Sequence, residues 1–488
     1  MAAAGLMAFV SLCSGAIASP RDRTYVAFEN QTGLPASHFS IYAVGYSTAS
    51  KKMLASDGHW VPITRNSGKI HGHQIGPRGF STVLERANPV DGGIVLLVVA
   101  PKYHRNPYVT FTDGGAMVNQ PANPPSNQWL DGQGKLIYQF IELTQPSDKN
   151  PTIDISVVDG FVMPINALAH DGRRRLAQAG QPLAKIVNRV RVMSIYHAFL
   201  DNESIPPRQK EAYRELLTKS GKTLGKPSAI LNPGLFLAAG ANSGSLLNHI
   251  WNPVLKKLFQ TEGRHVGMMG DDAAYYRGTP TRAGGLWYLD FVGYTNAECT
   301  KPNGNRYRVY SPLTPDPLGS YQPNESAGCM VFANDGVFAD ASANAVVSGP
   351  SYVALGLQRD IVSALNRGVA LLGGTDGKRG SNSYYWGLEH KWYPRDQTYN
   401  VFSRFMHTAK IGKQHLSLLP NGTLGRPVED AQGAPMGMSY GFVFDESPVH
   451  SKPTAPPAGP GRQPNVPSKF DPTPQGTTEV VVTLGPWQ

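Results

Sequence analysis

The stretch FIELTQ (residues 140–145), followed by IDISVVDGFVMP (residues 153–164), decides how this chain is interpreted. Its two apolar runs have the composition of β-strands, and they carry three carboxylates, Glu142, Asp154 and Asp159. Aspartate is depleted in strands, and a half-buried carboxylate is costly unless it is paired or has a chemical task. Asp154 and Asp159 are an odd number of residues apart, so a regular strand would direct them to opposite faces unless a bulge intervenes.

Two interpretations of these acids are open. Paired carboxylates on a rigid sheet are what glycoside hydrolysis needs, because one protonates the leaving oxygen while the other activates water or attacks the sugar. The alternative is that they are edge-strand acids whose hydrogen bonds serve only the fold.

The composition favours a turn-rich, mainly β, secreted protein. A chain of 488 residues is too long for one core, charged residues make up only 16%, and Gly (52) and Pro (40) are abundant. The net charge of +10 would suit an anionic surface such as a cell wall. It is not gathered into a basic stripe interleaved with aromatics, so nucleic acid is not an expected partner.

The N-terminus predicts secretion. Residues 2–18 form an apolar stretch that ends in the cleavage pattern Ala16-Ile17-Ala18, so residues 1–18 are predicted to be a signal peptide. No other segment approaches the length of a membrane span, and no membrane partner is expected. Removal of this leader would leave Cys299 and Cys329, an even pair that predicts one disulfide in an oxidising compartment, with two buried free thiols as the alternative.

The pattern of turns and apolar runs divides the mature chain. Residues 24–165 alternate short apolar runs with Gly, Pro and Asn turns, which predicts a β-sandwich or barrel. Helices are expected from Pro207, over 245–259 with a kink or true start at Pro253, and over 357–368; strands are expected at Val192–Tyr196, 401–407 and 478–485. The predicted parts are a β domain (19–171), an inserted mixed α/β domain (172–318), a return to the β domain (319–450), a Pro-rich loop (451–475) and a closing strand (476–488).

Other clusters carry little chemistry by themselves. His71-Gly72-His73, Asp271-Asp272 and the pair Asp335 and Asp340 lack the ligand spacing of metal sites, so neither a metal nor a cofactor is expected. Aromatic residues are the usual stacking surfaces for sugars, although each could equally be a core residue. The candidates are Trp60, Trp129, Trp251 and Trp386.

Short motifs in a fixed order resemble one family. The acids of the opening stretch and the run that follows them resemble the thaumatin-like superfamily. The length and the scarcity of cysteine resemble its larger branch, glycoside hydrolase family 64, the laminaripentaose-producing endo-β-1,3-glucanases. The resemblance continues through the helix with Trp251, AGCMVFANDGVFA (residues 327–339) and the terminal VVVTLG (residues 480–485).

This resemblance implies a thaumatin-like β-sandwich and an α/β domain flanking a wide groove for β-1,3-glucan, and hydrolysis with inversion. By position it implies that Glu142 is the general acid and Asp159 the general base. It further implies that four residues bind substrate, namely Thr144, Asp154, Ser156 and Trp251. Apolar neighbours such as Phe140 and Phe161 are expected to raise the pKa of Glu142 and keep it protonated.

The leading hypothesis is therefore a secreted, monomeric, metal-independent endo-β-1,3-glucanase. The parity of the strand assigns Asp154 a supporting role, because it is expected on the opposite face from Asp159. The alternative is a non-catalytic, thaumatin-like, glucan-binding wall protein, in which the same acidic groove binds sugar hydroxyls without turnover. A structural cell-surface protein is a third possibility, which only the Pro-rich residues 451–475 support.

Overall fold

The computed structural model describes most of the chain. The described residues are 22–64, 69–102, 107–111, 117–119, 137–158, 160–180, 189–217, 229–238, 244–314, 326–334, 336–339, 345–373, 380–388, 391–408, 445, 469–470 and 472–487. The predicted signal peptide and most of the Pro-rich stretch lie outside them. Within them, no helix has both the length and the apolarity needed to cross a membrane.

Strands predominate in the first half of the chain, and most helices lie in the second half. The strands are β1 (Arg23–Asn30), β2 (Phe39–Ser47), β3 (Lys52–Leu54), β4 (Trp60–Pro62), β5 (Lys69–His71), β6 (His73–Gln74), β7 (Phe80–Glu85), β8 (Val90–Pro101), β9 (Tyr108–Phe111), β10 (Met117–Asn119), β11 (Ile137–Gln145), β12 (Thr152–Ser156), β13 (Gly160–Phe161), β14 (Ile165–Asp171), β15 (Arg174–Gly180), β16 (Ile230–Leu231), β17 (His265–Met269), β18 (Tyr275–Ala283), β19 (Leu286–Tyr294), β20 (Pro302–Tyr310), β21 (Val346–Ser348), β22 (Gly380–Asn382), β23 (Lys469–Phe470) and β24 (Glu479–Leu484). The helices are α1 (Arg189–Asn202), α2 (Pro207–Arg214), α3 (Pro233–Ala238), α4 (Asn252–Phe259), α5 (Ala327–Ala333), α6 (Ser351–Asn366), α7 (Ser383–Trp386) and α8 (Val401–Thr408).

The last strand of the chain, β24, lies in the middle of a five-stranded sheet with the order β15-β14-β24-β1-β7. It runs parallel to β1, with Val26 opposite Val480, and antiparallel to β14. Val480 and Val482 are completely buried, whereas Glu479 before them and Val481 between them are half-buried. This alternation is typical of a strand with one face on a core. The strand expected at the end of the chain is therefore present.

An eight-stranded sheet packs against this first sheet. Its order is β23-β12-β11-β8-β2-β3-β4, and β6 also pairs with β2. The sheets meet at one edge, where a Cβ atom on Gly180 of β15 would lie 2.7 Å from the side chain of Ile155 in β12. They meet again at the other edge, where the amide of Val83 in β7 donates to the carbonyl of Gly58 over 3.0 Å. The predicted β-sandwich is present, and neither sheet closes into a barrel within the described residues.

The α/β part is built on a six-stranded sheet with the order β21-β20-β19-β18-β17-β22. Its four long strands are consecutive in the chain, whereas its two edge strands, β21 and β22, come from residues beyond 319. Helices α5 to α8 also come from this later segment. The described residues between 326 and 408 therefore differ from the expected return to the β domain, because they complete the α/β part.

Two segments expected to be strands are helices. Val192–Tyr196 lies inside α1, and the segment 401–407 lies inside α8. In α8 the buried apolar side chains are Val401, Phe402, Phe405 and Met406, a spacing that gives a helix one apolar face. Short runs rich in β-branched and aromatic residues can form either a strand or a helix, so tertiary packing decides between the two. Pro253, in contrast, marks the start of α4, as the sequence allowed.

The α/β part is attached to the sandwich at the C-terminus of the chain. The amide of Arg189, the first residue of α1, donates to the carbonyl of Pro486 over 3.0 Å. The guanidinium carbon of Arg189 lies 3.9 Å from the ring centroid of Trp487, and both residues are buried. Burial lowers the pKa of Arg189 to about 10, so it remains a cation at neutral pH and stacks on the indole.

A buried polar network joins the helices of the α/β part. His407 on α8 lies 2.5 Å from the Asp445 carboxylate through Nε2 and 2.6 Å from the Tyr393 hydroxyl through Nδ1. Arg367, just after α6, donates to the backbone carbonyl of Asp445 over 2.8 Å. Burial raises the pKa of Tyr393 well above its ordinary value, so its hydroxyl keeps its proton. The network therefore places an ion pair inside the protein, where loss of one partner is costly.

We expect Asp445→Ala to destabilise the α/β part by about 3–5 kcal/mol, because Arg367 would remain a buried cation without that carboxylate. Asp171→Ala, at the exposed end of β14, is the control and should change the stability by less than about 0.5 kcal/mol. Urea unfolding followed by tryptophan fluorescence measures both. Equal unfolding midpoints for Asp445→Ala and the unchanged protein would contradict the role of this ion pair.

Candidate active site

Glu142 and Asp154 lie directly opposite each other on neighbouring strands. β11 and β12 pair in antiparallel orientation, and their register aligns Glu142 with Asp154. Directly opposed residues point to the same face of a sheet, with Cβ atoms about 4.5–5.5 Å apart. Asp154 therefore shares a face with Glu142.

The same register brings further predicted residues to this face. Thr144 lies opposite Thr152, two residue pairs along from Glu142, and Ser156 lies opposite Phe140, two residue pairs along in the other direction. The hydroxyl of Thr144 accepts a long hydrogen bond of 3.4 Å from the amide of Gly92 in β8. The backbone positions of Glu142, Thr144, Asp154 and Ser156 thus form one continuous patch, although the side chain of Ser156 lies outside the described atoms.

The open part of this face begins at Glu142. Glu142 is exposed, whereas Phe140, two residues before it on the same face, is 6% exposed. The small sheet β10-β9-β5 lies over part of the face, since a Cβ atom on Gly72, next to β5, would lie 3.0 Å from both Tyr42 and Val44 of β2. The face is therefore covered on one side, and the carboxyl group of Glu142 is accessible to a ligand from solvent.

Asp159 lies outside the described residues, and the chain on either side of it is well defined. β12 ends at Ser156, and a turn follows in which the amide of Gly160 donates to the carbonyl of Val157 over 2.8 Å. Gly160 then pairs with Leu231 of β16. The parity argument that separated Asp154 from Asp159 required one regular strand over both residues. It does not apply, because the strand ends between them.

The expected apolar enclosure of Glu142 is absent from the described residues. Phe161 is 2% exposed and belongs to β13, which pairs with β16 and not with the eight-stranded sheet. Phe140 lies beside Glu142 on the same strand, yet Glu142 itself is exposed. Apolar side chains of the described residues therefore do not surround the carboxyl group that is expected to hold a proton.

Three of the four tryptophans proposed as sugar platforms are core residues. Trp251, at the start of α4, is completely buried, and its ring packs edge-on against Phe332 with centroids 5.5 Å apart. Trp60 and Trp386 are buried as well, and Trp129 lies outside the described residues. The prediction that Trp251 binds substrate therefore conflicts with its position, because its ring offers no open face to a sugar.

An exposed aromatic patch was missed by the sequence reasoning. Tyr108 on β9 is 37% exposed, the ring of His71 on β5 lies 5.7 Å from its ring, and Lys69 Nζ lies 4.4 Å from its centroid. These residues belong to the small sheet that covers part of the Glu142 face. The alternation of exposed and buried residues in Lys69-Ile70-His71 is a signal that could have identified this outward face.

Metal-ligand clusters are absent from the described residues: no group of three or more His, Cys, Asp or Glu side chains converges there. Asp271 forms an ion pair of 2.9 Å with Arg359, and Asp272 accepts a hydrogen bond of 2.8 Å from the hydroxyl of Tyr276. Burial is the main cause that raises the pKa of Tyr276, so its hydroxyl remains the donor. Asp335 and Asp340 lie outside the described residues.

The predicted disulfide is not formed. Cys299 lies in the turn between β19 and β20, Cys329 is buried in α5, and no disulfide joins them. The sulfur of Cys329 lies 4.0 Å from the carbonyl of Gly234, and that of Cys299 lies 3.7 Å from the carbonyl of Ala297. An even count of cysteines shows only that a bridge is possible, whereas the fold decides whether the two sulfurs meet.

We expect the denatured, unreduced protein to show Cys299 and Cys329 as thiols in a titration with a chromogenic disulfide reagent. In the native protein Cys299, which is partly exposed, should react well before the buried Cys329. Cys299→Ser should remove the fast phase and leave the slow one. Detection of a tryptic peptide that joins the two cysteines would contradict this assignment.

Comparison with known proteins supports the fold. No protein-family model and no curated protein sequence matches the chain. Among solved structures, a β-1,3-glucanase domain (GH64) from Clostridium beijerinckii matches with a TM-score of 0.55 and 14% identity, over 95% of this chain and 98% of that one. At this identity the likeness establishes the fold alone, and this chain therefore shares the fold of that domain along nearly all of its length.

Two further structures match less closely. Both are of the GH family 64 laminaripentaose-producing β-1,3-glucanase from Paenibacillus barengoltzii, one complexed with laminarihexaose and one without it. They have TM-scores of 0.47 and 0.45 and identities of 12% and 13%, and each match covers 95% of this chain and 75% of the other.

Proposed function

We propose that this protein is a secreted endo-β-1,3-glucanase of the glycoside hydrolase family 64 type, and that it cleaves its substrate with inversion. The observation that carries the proposal is the accessible carboxyl group of Glu142, on a strand whose neighbour β12 leads directly to Asp159. The proposal is supported by the fold shared with a domain described as a β-1,3-glucanase. The substrate class and the mechanism are those implied by the motif resemblance.

In the proposed reaction Glu142 donates a proton to the glycosidic oxygen, and Asp159 accepts a proton from the attacking water. The water attacks the anomeric carbon from the face opposite to the leaving group, so the configuration inverts. Inverting enzymes keep their two carboxyl groups about 6.5–9.5 Å apart to leave room for that water. Asp154 is a poor candidate for the base, because it is only 6% exposed and so is closed to a water molecule beside the sugar.

The polar residues beside Glu142 are proposed to bind sugar hydroxyl groups. Thr144 is half-buried and presents its hydroxyl group on the same face, two residue pairs from Glu142. Ser156 occupies the corresponding backbone position on β12. With Trp251 in the core, Tyr108, which is exposed on the small sheet that covers part of the Glu142 face, is proposed as an aromatic residue that stacks on a glucan chain.

The protein is further proposed to act outside the cell as a monomer on polymeric β-1,3-glucan, without a metal or cofactor. Export rests on the leader-like residues 1–18. The accessible position of Glu142 suits a polymer that binds along its length, because the glucan chain can enter from the side and be cleaved internally.

We expect Glu142→Gln and Asp159→Asn each to lower the rate of reducing-sugar release from linear β-1,3-glucan on the order of 10²-fold or more, the usual scale of acid–base catalysis. Glu29→Gln, an isosteric change of an exposed glutamate on β1, is the matched control and should retain full activity. Near-normal turnover of Glu142→Gln, with its fold verified by circular dichroism, would reject the acid assignment.

Stereochemistry tests the mechanism independently. Proton NMR of a fresh laminarin hydrolysate should show the α-anomer at new reducing ends before mutarotation, because inversion at a β-linkage produces it. Appearance of the β-anomer first would demonstrate retention, for which two carboxyl groups about 5–5.5 Å apart are needed.

A non-catalytic glucan-binding protein is the competing function. Its supporting observation is that Glu142 is exposed in the described part of the chain, so its carboxyl group could simply accept hydrogen bonds from sugar hydroxyl groups. Co-sedimentation with insoluble β-1,3-glucan that is abolished by Glu142→Gln, without any release of reducing sugar by the unchanged protein, would favour this function over hydrolysis.

A further inference from the structure

The six-stranded sheet of the α/β part has one buried face and one open face. Along β18 the buried Tyr276 precedes the exposed Arg277. Along β20 the buried Tyr307 lies between the exposed Arg306 and the half-buried Arg308. The rings of the two tyrosines lie 5.6 Å apart on the buried face. Because successive side chains of a strand point to opposite faces, the three arginines lie on the other face, which the described residues leave partly open to solvent.

These arginines come together from strands that are separate in the chain. Arg277 of β18 and Arg306 of β20 both lie opposite Val292 of β19, the strand between them. At the ordinary spacing of strands their backbones are about 9.5 Å apart. Arg308 lies opposite Asp290, which is two residues before Val292 and therefore on the same face. The sequence shows no such cluster, because the pairing of three strands creates it.

The charges on this open face are unequal. Nε of Arg306 donates to the Asp290 carboxylate over 2.9 Å, and a second nitrogen of the same guanidinium contacts the other carboxylate oxygen. The hydrogen bond and the charge of Asp290 raise the pKa of Arg306, so this pair is fully ionised. Within the described residues neither Arg277 nor Arg308 forms an ion pair, and the buried Nε of Arg308 has no hydrogen-bond partner there. Three arginines and one aspartate leave a surplus of two positive charges.

The titratable groups around the face do not cancel this surplus. His265 of β17 lies beside it, and burial, followed by the charge of Arg277, lowers the pKa of His265, so the imidazole is neutral at pH 7. In the turn between β19 and β20, Glu298 and Lys301 contribute one charge of each sign.

Aromatic rings accompany the arginines. Tyr294 of β19 lies opposite Tyr275 of β18 at one end of the open face, and both are partly exposed. The guanidinium carbon of Arg308 lies 5.2 Å from the ring centroid of Tyr288, a contact that holds the cation in place. A guanidinium binds a carboxylate through two parallel hydrogen bonds, and the face of a tyrosine ring stacks on the apolar face of a sugar. The combination suits a ligand that carries both sugar rings and acidic groups.

We propose that the open face of the six-stranded sheet binds an acidic polysaccharide. Arg277 and Arg308 hold its carboxylate groups, and Tyr294 stacks on a sugar ring. Charge complementarity selects this ligand, because a neutral glucan leaves the surplus positive charge unmatched. The proposal goes beyond hydrolysis at Glu142: it assigns the α/β part a second activity, attachment to a matrix that contains acidic polymers.

The affinity for polygalacturonate, which has a carboxylate on every sugar, is the first test. Isothermal titration calorimetry should show at least about a tenfold loss for Arg277→Gln/Arg308→Gln, because two charge-assisted contacts disappear. Arg173→Gln/Arg174→Gln removes the same charge from the exposed hairpin between β14 and β15, and it should bind like the unchanged protein. Equal losses in the two double variants would show non-specific attraction to a basic protein and would overturn the proposal. If Arg277→Gln/Arg308→Gln is unfolded by circular dichroism, Arg277→Gln alone, with Arg173→Gln as its control, makes the same test at an exposed position.

Other polymers test the class of ligand. Tyr294→Ser should weaken the binding of polygalacturonate and leave that of inorganic polyphosphate, which has no sugar rings, unchanged. Equal weakening of both, or of neither, would contradict the stacking. Binding of neutral laminarin that falls as much in Arg277→Gln/Arg308→Gln as the binding of polygalacturonate would assign the face to glucan. Binding of single-stranded DNA without binding of polygalacturonate would assign it to nucleic acid, and either result overturns the proposal.

Discussion

The pairing of β24 between β1 and β14 is the contact on which the rest of the structure depends. Without it the five-stranded sheet would consist of two separate pairs, β15-β14 and β1-β7, neither with a complete face to cover the core. Residues at the two ends of the chain therefore meet in the centre of one sheet, with Tyr25 opposite Glu479. Pairings of such long sequence separation close late in folding, because loop-closure entropy opposes them.

This pairing also explains how the α/β part and the acids are held. The α/β part is an insertion between β15 and β23, and it is attached where Arg189 stacks on Trp487 just beyond β24. The same C-terminal segment contributes β23, which pairs with β12 and aligns Lys469 with Asp154. The C-terminal segment thus completes the five-stranded sheet and attaches the α/β part. It also supplies the strand next to Asp154 in the eight-stranded sheet.

Much of the fold could be predicted from the sequence where the local pattern and the final packing agree. The strands of the first 165 residues, the helix from Pro207 and the closing strand have clear periodicity or turn signals, and all are present. The sequence predicts strands for the segments that lie within α1 and α8, because a run such as Val401-Phe402 can form either a strand or a helix. Only its packing against neighbouring segments decides between the two. The added edge strands β21 and β22 depend on pairings distant in sequence, which no local pattern records.

For the candidate site, the sequence by itself determined which side chains are available: Glu142, Asp154 and Asp159 on or beside strands, with hydroxyl groups at Thr144 and Ser156. Only the tertiary structure decided which of these residues, among those described, lie next to each other. It ended β12 before Asp159, so strand parity no longer separates the acids, and it set Asp154 directly against Glu142. It also buried Trp251 and left Cys299 and Cys329 without a disulfide between them. The physical reason is that register, burial and contact are properties of pairs of segments, whereas a linear pattern specifies only one segment at a time.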